Sequence, residues 1–291
     1  MRMSKKYLAT LIFPINIWLS MLNLKRLRTN ISKKFLRIEK RFRFAISALV
    51  LSALLLFSTF FFFDKAMIFI PLLIISSYFF TYFSIVEGID KIEWLTLFLI
   101  PVSLTIGFYL FFFLFPSRWL TRLPFIAIYA ISIYAVLLCS NIFNVGVEKN
   151  LQLYRAAFSV NFFYQTFISF LFFSLLFITR QSFLVNGFFA GILGFIFSLH
   201  LFWSIKLDIY ITKENVLFSF FIGLVLAELS MILSFVPVMN SILALFLTAS
   251  YYSLTGLVYN YLDQRLFKET VREYLIVFGF VSLITLLSIS W

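Results

Sequence analysis

Long apolar runs alternate with short polar breaks along nearly the whole of this chain. A helix rises 1.5 Å per residue, so about 20 residues cross a hydrocarbon layer about 30 Å thick. Nine runs are candidate spans: 44–63, 66–86, 94–115, 123–143, 156–178, 182–205, 216–236, 241–261 and 275–291. The first eight reach that length, and the ninth, with 17 residues, is marginal. Breaks of 2 to 13 residues make successive helices antiparallel neighbours. The pattern predicts an all-α fold: a polytopic transmembrane helical bundle over 44–291, preceded by a basic region, 1–43. Pro71 and Pro101 are expected to kink or interrupt their helices, and Pro237 marks a turn.

Before the first span the pattern changes twice. Residues 7–24 are uncharged but interrupted by Pro14, Asn16 and Asn23. This segment reads as lying in or dipping into the membrane face; the alternative is a tenth span, which would carry Arg2, Lys5 and Lys6 across. No small-x-small cleavage site follows it. Further on, Leu24, Leu27, Ile31, Phe35, Ile38 and Phe42 recur at helical spacing. Lys25, Arg26, Arg28, Lys33, Lys34, Arg37, Lys40 and Arg41 cover the rest of that helix. It is expected to lie on an anionic leaflet as a basic interfacial helix, each cation near the surface contributing roughly 1 kcal/mol. A nucleic-acid reading of the same cations lacks an aromatic stacking platform or a binding motif, so the expected partners are membrane lipids, with membrane proteins possible and nucleic acid not.

Charge adds an orientation. With the N-terminus inside, 20 of the 24 Lys and Arg fall on the inner side and 4 on the outer. By the positive-inside rule the N-terminus is cytoplasmic and the C-terminus outside. Composition agrees with lipid as the solvent: 63% of residues are hydrophobic and 43 are Phe, more than one aqueous core can hide.

Few groups remain for chemistry. Cys139 is the single cysteine, which excludes an intrachain disulfide and a cysteine-based metal site. His200 is the single histidine, too few for haem held by two of the chain's own imidazoles. Of 12 carboxylates only Glu228 falls inside a predicted span, twelve residues in and so near mid-depth. A charge at the bilayer centre costs about 2.5–3.5 kcal/mol on insertion scales, which marks Glu228 as a functional candidate. The bland alternative is a neutral glutamic acid bonded to a neighbouring helix. Counting residues from the span ends puts Tyr251 and Tyr252 at the depth of Glu228, and Tyr252 is taken with it. Asn161 and Gln165 share one face of the fifth span at i and i+4, about 8 and 14 Å from its cytoplasmic end, and His200 lies about 8 Å from that side. Asn161, Gln165, His200, Glu228 and Tyr252 are expected to line one inward-opening cavity. Each also has a packing reading, since Asn and Gln commonly join helices. Gly187, Gly191, Gly194 and Ser198 space at 4, 3 and 4, a close-packing helix face. Asn141, Asn144 and Arg155 gather at the ends of spans four and five, to cap helices or meet headgroups.

The stretch Ser140-Asn141-Ile142-Phe143-Asn144-Val145, followed by Leu151 to Ala157, and the pair Pro116-Ser117 before Arg122-Leu123-Pro124, resemble a family of bacterial multi-pass membrane proteins of unknown function. The likeness covers the central third. It implies an inner-membrane protein and adds no activity and no site residues.

No paired-Asp diphosphate motif, glycine-rich nucleotide loop or HExxH site is present, and no cofactor is expected. The outer breaks carry one carboxylate, Asp64, which disfavours external metal-dependent transfer to lipid-linked sugars. The expectation is a non-enzymatic assembly, scaffold or lipid-handling component. The alternative is a small-solute or proton-coupled transporter using Glu228. A membrane-embedded enzyme stands third, for want of a catalytic set.

Overall fold

In a computed structural model of the chain, residues 35, 38–61, 65–86, 94–115, 119–145, 151–207 and 211–289 are described. The 7–24 segment and the cations Lys25, Arg26, Arg28, Lys33, Lys34 and Arg37 lie outside them. The described residues form nine helices and no strand: α1 (Lys40–Ser58), α2 (Ala66–Ile85), α3 (Trp94–Phe112), α4 (Trp119–Val145), α5 (Leu151–Ile178), α6 (Phe183–Lys206), α7 (Lys213–Leu233), α8 (Asn240–Leu262) and α9 (Lys268–Leu287). Eight are long and apolar enough to cross a membrane, and in α3 the apolar stretch is the shorter Thr96–Phe112. This is a multi-pass helical membrane protein.

The elements follow the apolar runs because no charged side chain but Glu228 interrupts them and lipid forces every backbone group to bond within its own segment. Differences lie at the ends. α4 starts at Trp119 and α5 at Leu151, each before the apolar run begins. At 27 and 28 residues these two are about 40 Å long, beyond the hydrocarbon. The last helix starts at Lys268, not 275, and is a full 20 residues. Glu269 sits in its first turn, where the helix dipole favours an acid. α2 and α3 run on through Pro71 and Pro101 without interruption. α1 begins at Lys40, so Lys40 and Arg41 belong to a spanning helix and not to an interfacial one. Phe35 points its ring at Phe83 of α2, 4.8 Å between centroids. Ile38 and Phe42 are both exposed, whereas Arg43 is turned into the bundle and is 1% exposed.

Successive helices pack on one another, and cross-links join like ends, as an up-and-down path requires. At the end where α1 begins, here the proximal end, Ser84 Oγ donates to Ser47 Oγ at 2.9 Å. Asn144 Nδ2 there donates to the Ile85 carbonyl at 2.8 Å, capping the last turn of α2 from α4. Tyr154 donates to the Ser204 carbonyl in the last turn of α6. At the distal end Asn186 Nδ2 donates to Ser234 Oγ at 3.0 Å, joining α6 to α7. α5 is the hub, packed on α3, α4, α6 and α8. A second small core of Ile85, Leu97, Phe143 and Trp203, among others, closes the proximal end.

The distal end has its own fastening. The Arg122 guanidinium lies 4.7 Å from the Phe60 ring centre, 5.8 Å from Phe112 and 5.9 Å from Trp119. Three ring faces around one cation tie the starts of α4 and the ends of α1 and α3 together. Cation–π contacts of this kind are worth about 0.5–2 kcal/mol. Arg122→Ala is therefore expected to lower stability by about 1–2 kcal/mol, with Arg122→Lys in between, read as the midpoint of detergent-titration unfolding. Equal midpoints for all three proteins would show the cage to be idle.

Candidate functional site

Four polar side chains converge where α5, α6 and α8 meet. Gln165 of α5 is fully buried and donates its amide to the Phe197 carbonyl of α6. One turn toward the proximal end stands Asn161, 2% exposed, and three residues beyond Phe197 comes His200, 3% exposed. Antiparallel counting from the Gln165–Phe197 contact sets Asn161 opposite position 201, beside His200. From α8 comes Tyr251, also fully buried. The Tyr251 hydroxyl faces the Gln165 side chain, and among the described residues two buried polar atoms beside them, Asn161 Nδ2 and His200 Nδ1, have no hydrogen-bond partner. The amide nitrogen can only donate, whereas an imidazole nitrogen can serve as either. The cluster therefore has unused capacity in a place where an unsatisfied polar group is costly.

Three of the five residues expected to form a cavity thus come together: Asn161, Gln165 and His200. The other two do not. Tyr252 is half-buried and points to the α5 and α9 sides, its ring stacked on Phe162 at 5.1 Å and tilted against Tyr274 at 5.2 Å. Thr248, Thr255 and Tyr259, which recur with Tyr252 at helical spacing on α8, are packing residues as well. Thr248 and Thr255 bond back to the carbonyls of Ala244 and Tyr251 in their own helix, and Tyr259 stacks on Phe158 at 4.0 Å. Glu228 is exposed on the outer surface of α7, in a row with Leu217, Phe221, Leu224 and Ile232.

Depth fails too. The α7–α8 turn falls at 234–239, earlier than the matching of Glu228 with Tyr252 requires. Glu228 stands five residues, about 8 Å, inside the distal end of α7, whereas Tyr252 is twelve residues from the distal start of α8. His200 is six residues from the proximal end of α6. The acid and the imidazole lie toward opposite ends of the bundle, so no single cavity joins them.

α7 is fixed in this rotation by its fit to α6. A Cβ on Gly223 would stand 2.7 Å from the Gly191 carbonyl oxygen, and one on Gly191 would be 3.0 Å from Ala227 Cβ. The glycine face foreseen on α6 is a backbone-to-backbone contact, with Gly223 as its counterpart on α7. That contact turns the opposite side of α7, with Glu228, outward.

Two open spaces lie elsewhere, near the proximal end of α7 and α8. One, about 270 Å³, is lined by residues that include Thr212, Glu214, Asn215, Tyr261 and Gln264. The other, about 350 Å³, is lined by Phe218, Leu257, Val258, Tyr261 and Leu266. Neither includes any of the five expected residues. Among the described residues no group of three or more His, Cys, Asp or Glu is placed to hold a metal ion.

The sequence reading set Tyr251 and Tyr252 at one depth but took only Tyr252 into the cavity. The two differ by 100° around α8, and only the helix packing decides which one faces Gln165. It also counted Arg43 with the basic N-terminal region, whereas Arg43 is buried in α1 together with Phe44 and Ser47.

Fold and polar set together define an all-helical polytopic membrane protein without a recognisable catalytic constellation. The chain belongs to the family described as Protein of unknown function (DUF5656), whose match runs over residues 86–288. The match takes in α3 to α9, more than the central third in which the resemblance was read, and leaves α1 and α2 before it. No curated protein and no solved structure matches the chain.

Proposed function

We propose that the protein is a non-enzymatic assembly or scaffold component of a membrane complex, and that the outer face of α7 is its docking surface. One observation carries this reading: Glu228 stands on that face with apolar neighbours on both sides, Leu224 before it and Ile232 after it. Lipid tails offer a carboxyl group no hydrogen bond, and ionisable residues within spans are ordinarily turned to protein or to water. A helix of another chain, offering a donor or a cation at that depth, supplies what this bundle does not.

The transporter reading needs Glu228 beside a polar path, and its distance from Asn161, Gln165 and His200 removes that support. The orientation belongs to the same proposal. The proximal breaks carry more Lys and Arg than the distal ones, which favours a cytoplasmic proximal end in a bacterial inner membrane. The basic residues before α1 then meet anionic lipid.

The test is cross-linking in native membranes followed by purification of wild type, Glu228→Gln and Glu228→Leu. A polar contact between membrane helices is worth about 0.6–2 kcal/mol. Glu228→Leu should therefore weaken the complex by roughly 3- to 30-fold, while Glu228→Gln, which can still hydrogen-bond, stays near wild type. An unchanged complex in Glu228→Leu, or a wild type that is always monomeric, overturns the reading. Proton-driven solute uptake abolished by Glu228→Gln would establish the transporter instead.

A further inference from the structure

The two open spaces at the proximal end of α7 and α8 are one site with two halves. They share Tyr261. The first half is polar, walled by Thr212, Glu214 and Asn215 at the start of α7 and by Gln264 just past the end of α8. The second is apolar and runs from Leu266, past the end of α8, to one helical turn deeper than the first: Phe218 follows Glu214 by four residues on α7, and Val258 precedes Leu262 by four on α8. A polar chamber at helix-end depth that continues into an apolar groove along the spans has the shape of an amphiphile.

The seam is open because α7 leans on α6 while α8 leans on α5 and α9. Charge selects the headgroup. Among the described residues that line the polar half, the one charged side chain is the Glu214 carboxylate. Beside it stand the Asn215 and Gln264 amides and the Thr212 and Tyr261 hydroxyls, all able to donate to phosphate oxygens.

Gln264 adds an independent sign. α8 closes in a Schellman turn, with Arg265 N–H donating to the Asn260 carbonyl at 2.8 Å and Gln264 N–H to the Tyr261 carbonyl at 3.1 Å. The residue in the left-handed position, φ 56°, is Gln264, where glycine is the usual occupant. A strained residue whose side chain lines a cavity is a reason to look for a ligand there.

From this we infer that the α7–α8 seam is a specific phospholipid site, and that its lipid carries a primary amine on the headgroup phosphate. The ammonium meets Glu214, the phosphate meets the amides and hydroxyls around it, and one acyl chain lies in the groove between Phe218 and Val258. The site is apart from the outer face of α7, so it stands or falls separately from the docking surface proposed above.

The experiment is native mass spectrometry of the full-length protein from nanodiscs holding equal parts phosphatidylethanolamine, phosphatidylcholine and phosphatidylglycerol. Wild type is expected to retain one phosphatidylethanolamine at least ten-fold in preference to either of the others. Glu214→Gln should abolish the preference. Val258→Trp, which fills the groove, should reduce retention of all three lipids at this site. Gln264→Gly should lose several-fold in preference while unfolding at the same temperature as wild type or higher, which separates binding from folding. Equal retention of the three lipids by wild type, or a preference that survives Glu214→Gln, overturns the inference. Binding of soluble phosphoethanolamine as strong as that of the lipid would overturn the part assigned to the groove.

Discussion

Gly223→Leu is expected to force α6 and α7 apart and to cost about 3 kcal/mol or more, at the upper end of overpacking changes. The reason is what a side chain would meet. Its first atom would stand 2.7 Å from the Gly191 carbonyl oxygen, 3.0 Å from Phe195 Cβ and 3.2 Å from Phe195 N. Two of these are backbone atoms, which cannot swing away as a side-chain tip does. On α6 the same seam closes at Gly194, where an added Cβ would meet Leu226 Cδ1 at 2.5 Å, and at Gly187, where it would meet Met231 at the same distance. Those neighbours are flexible, so Gly187→Ala should be tolerated far better than Gly223→Leu. A control is built into the chain: Gly279 on α9 has nothing within 4 Å of its added Cβ. Gly279→Leu should stay within about 0.5 kcal/mol of wild type, as surface changes do. Detergent-titration unfolding of the three variants decides the matter, and a Gly223→Leu midpoint equal to that of Gly279→Leu would refute the backbone contact.

Tyr274→Ala is expected to release α9 and leave the other helices folded. Among the described residues α9 packs chiefly on α8, and only 6% of its span is buried, against 56% for α8. Tyr274 is its main hold. The ring lies over Gly256, where no Cβ would fit, and within 5.2 Å of the Tyr252 ring. Its hydroxyl accepts from Asn260 Nδ2 at 3.4 Å, and its carbonyl accepts from Ser253 Oγ at 3.2 Å. Truncating a packed aromatic costs about 3–5 kcal/mol, more than this single seam can lose. The readout is thiol labelling of Val281→Cys, a position 8% exposed in the intact bundle. Labelling should accelerate by ten-fold or more with Tyr274→Ala, and Gly256→Leu should do the same from the other side. Unchanged labelling in both backgrounds would mean that α9 is held by something other than this contact.

How much of this was legible beforehand depends on which coordinate is asked for. Position along the membrane normal is written in hydropathy: every described helix lies on a foreseen apolar run, and the boundaries move mainly where amphipathic turns such as Lys268–Tyr274 extend a helix past its greasy part. Rotation about the helix axis is not written there. In a soluble helix water marks the outside with polar residues, but in lipid both the core side and the lipid side are apolar, so periodicity carries little information. Glu228 shows the effect. Its place within an apolar run was readable, but the turn at 234–239 moves its depth toward the distal end, and its direction was not readable, because direction is set by Gly191 meeting Gly223. Gln165 and His200 were found together because both are polar and buried on facing helices, and such residues turn inward wherever a partner exists. Tyr251 and Arg43 required the packing itself.

Helices α6 and α7 fit at the level of main chain to main chain, and only six residues, 207–212, connect them. Two legs matched so closely complete their own packing without waiting for any neighbour. Biogenesis of this stretch is then a paired event: the translocon hands over a finished hairpin, and α5 and α8 arrive at a preformed wall, not at two separate rods still seeking each other in the bilayer.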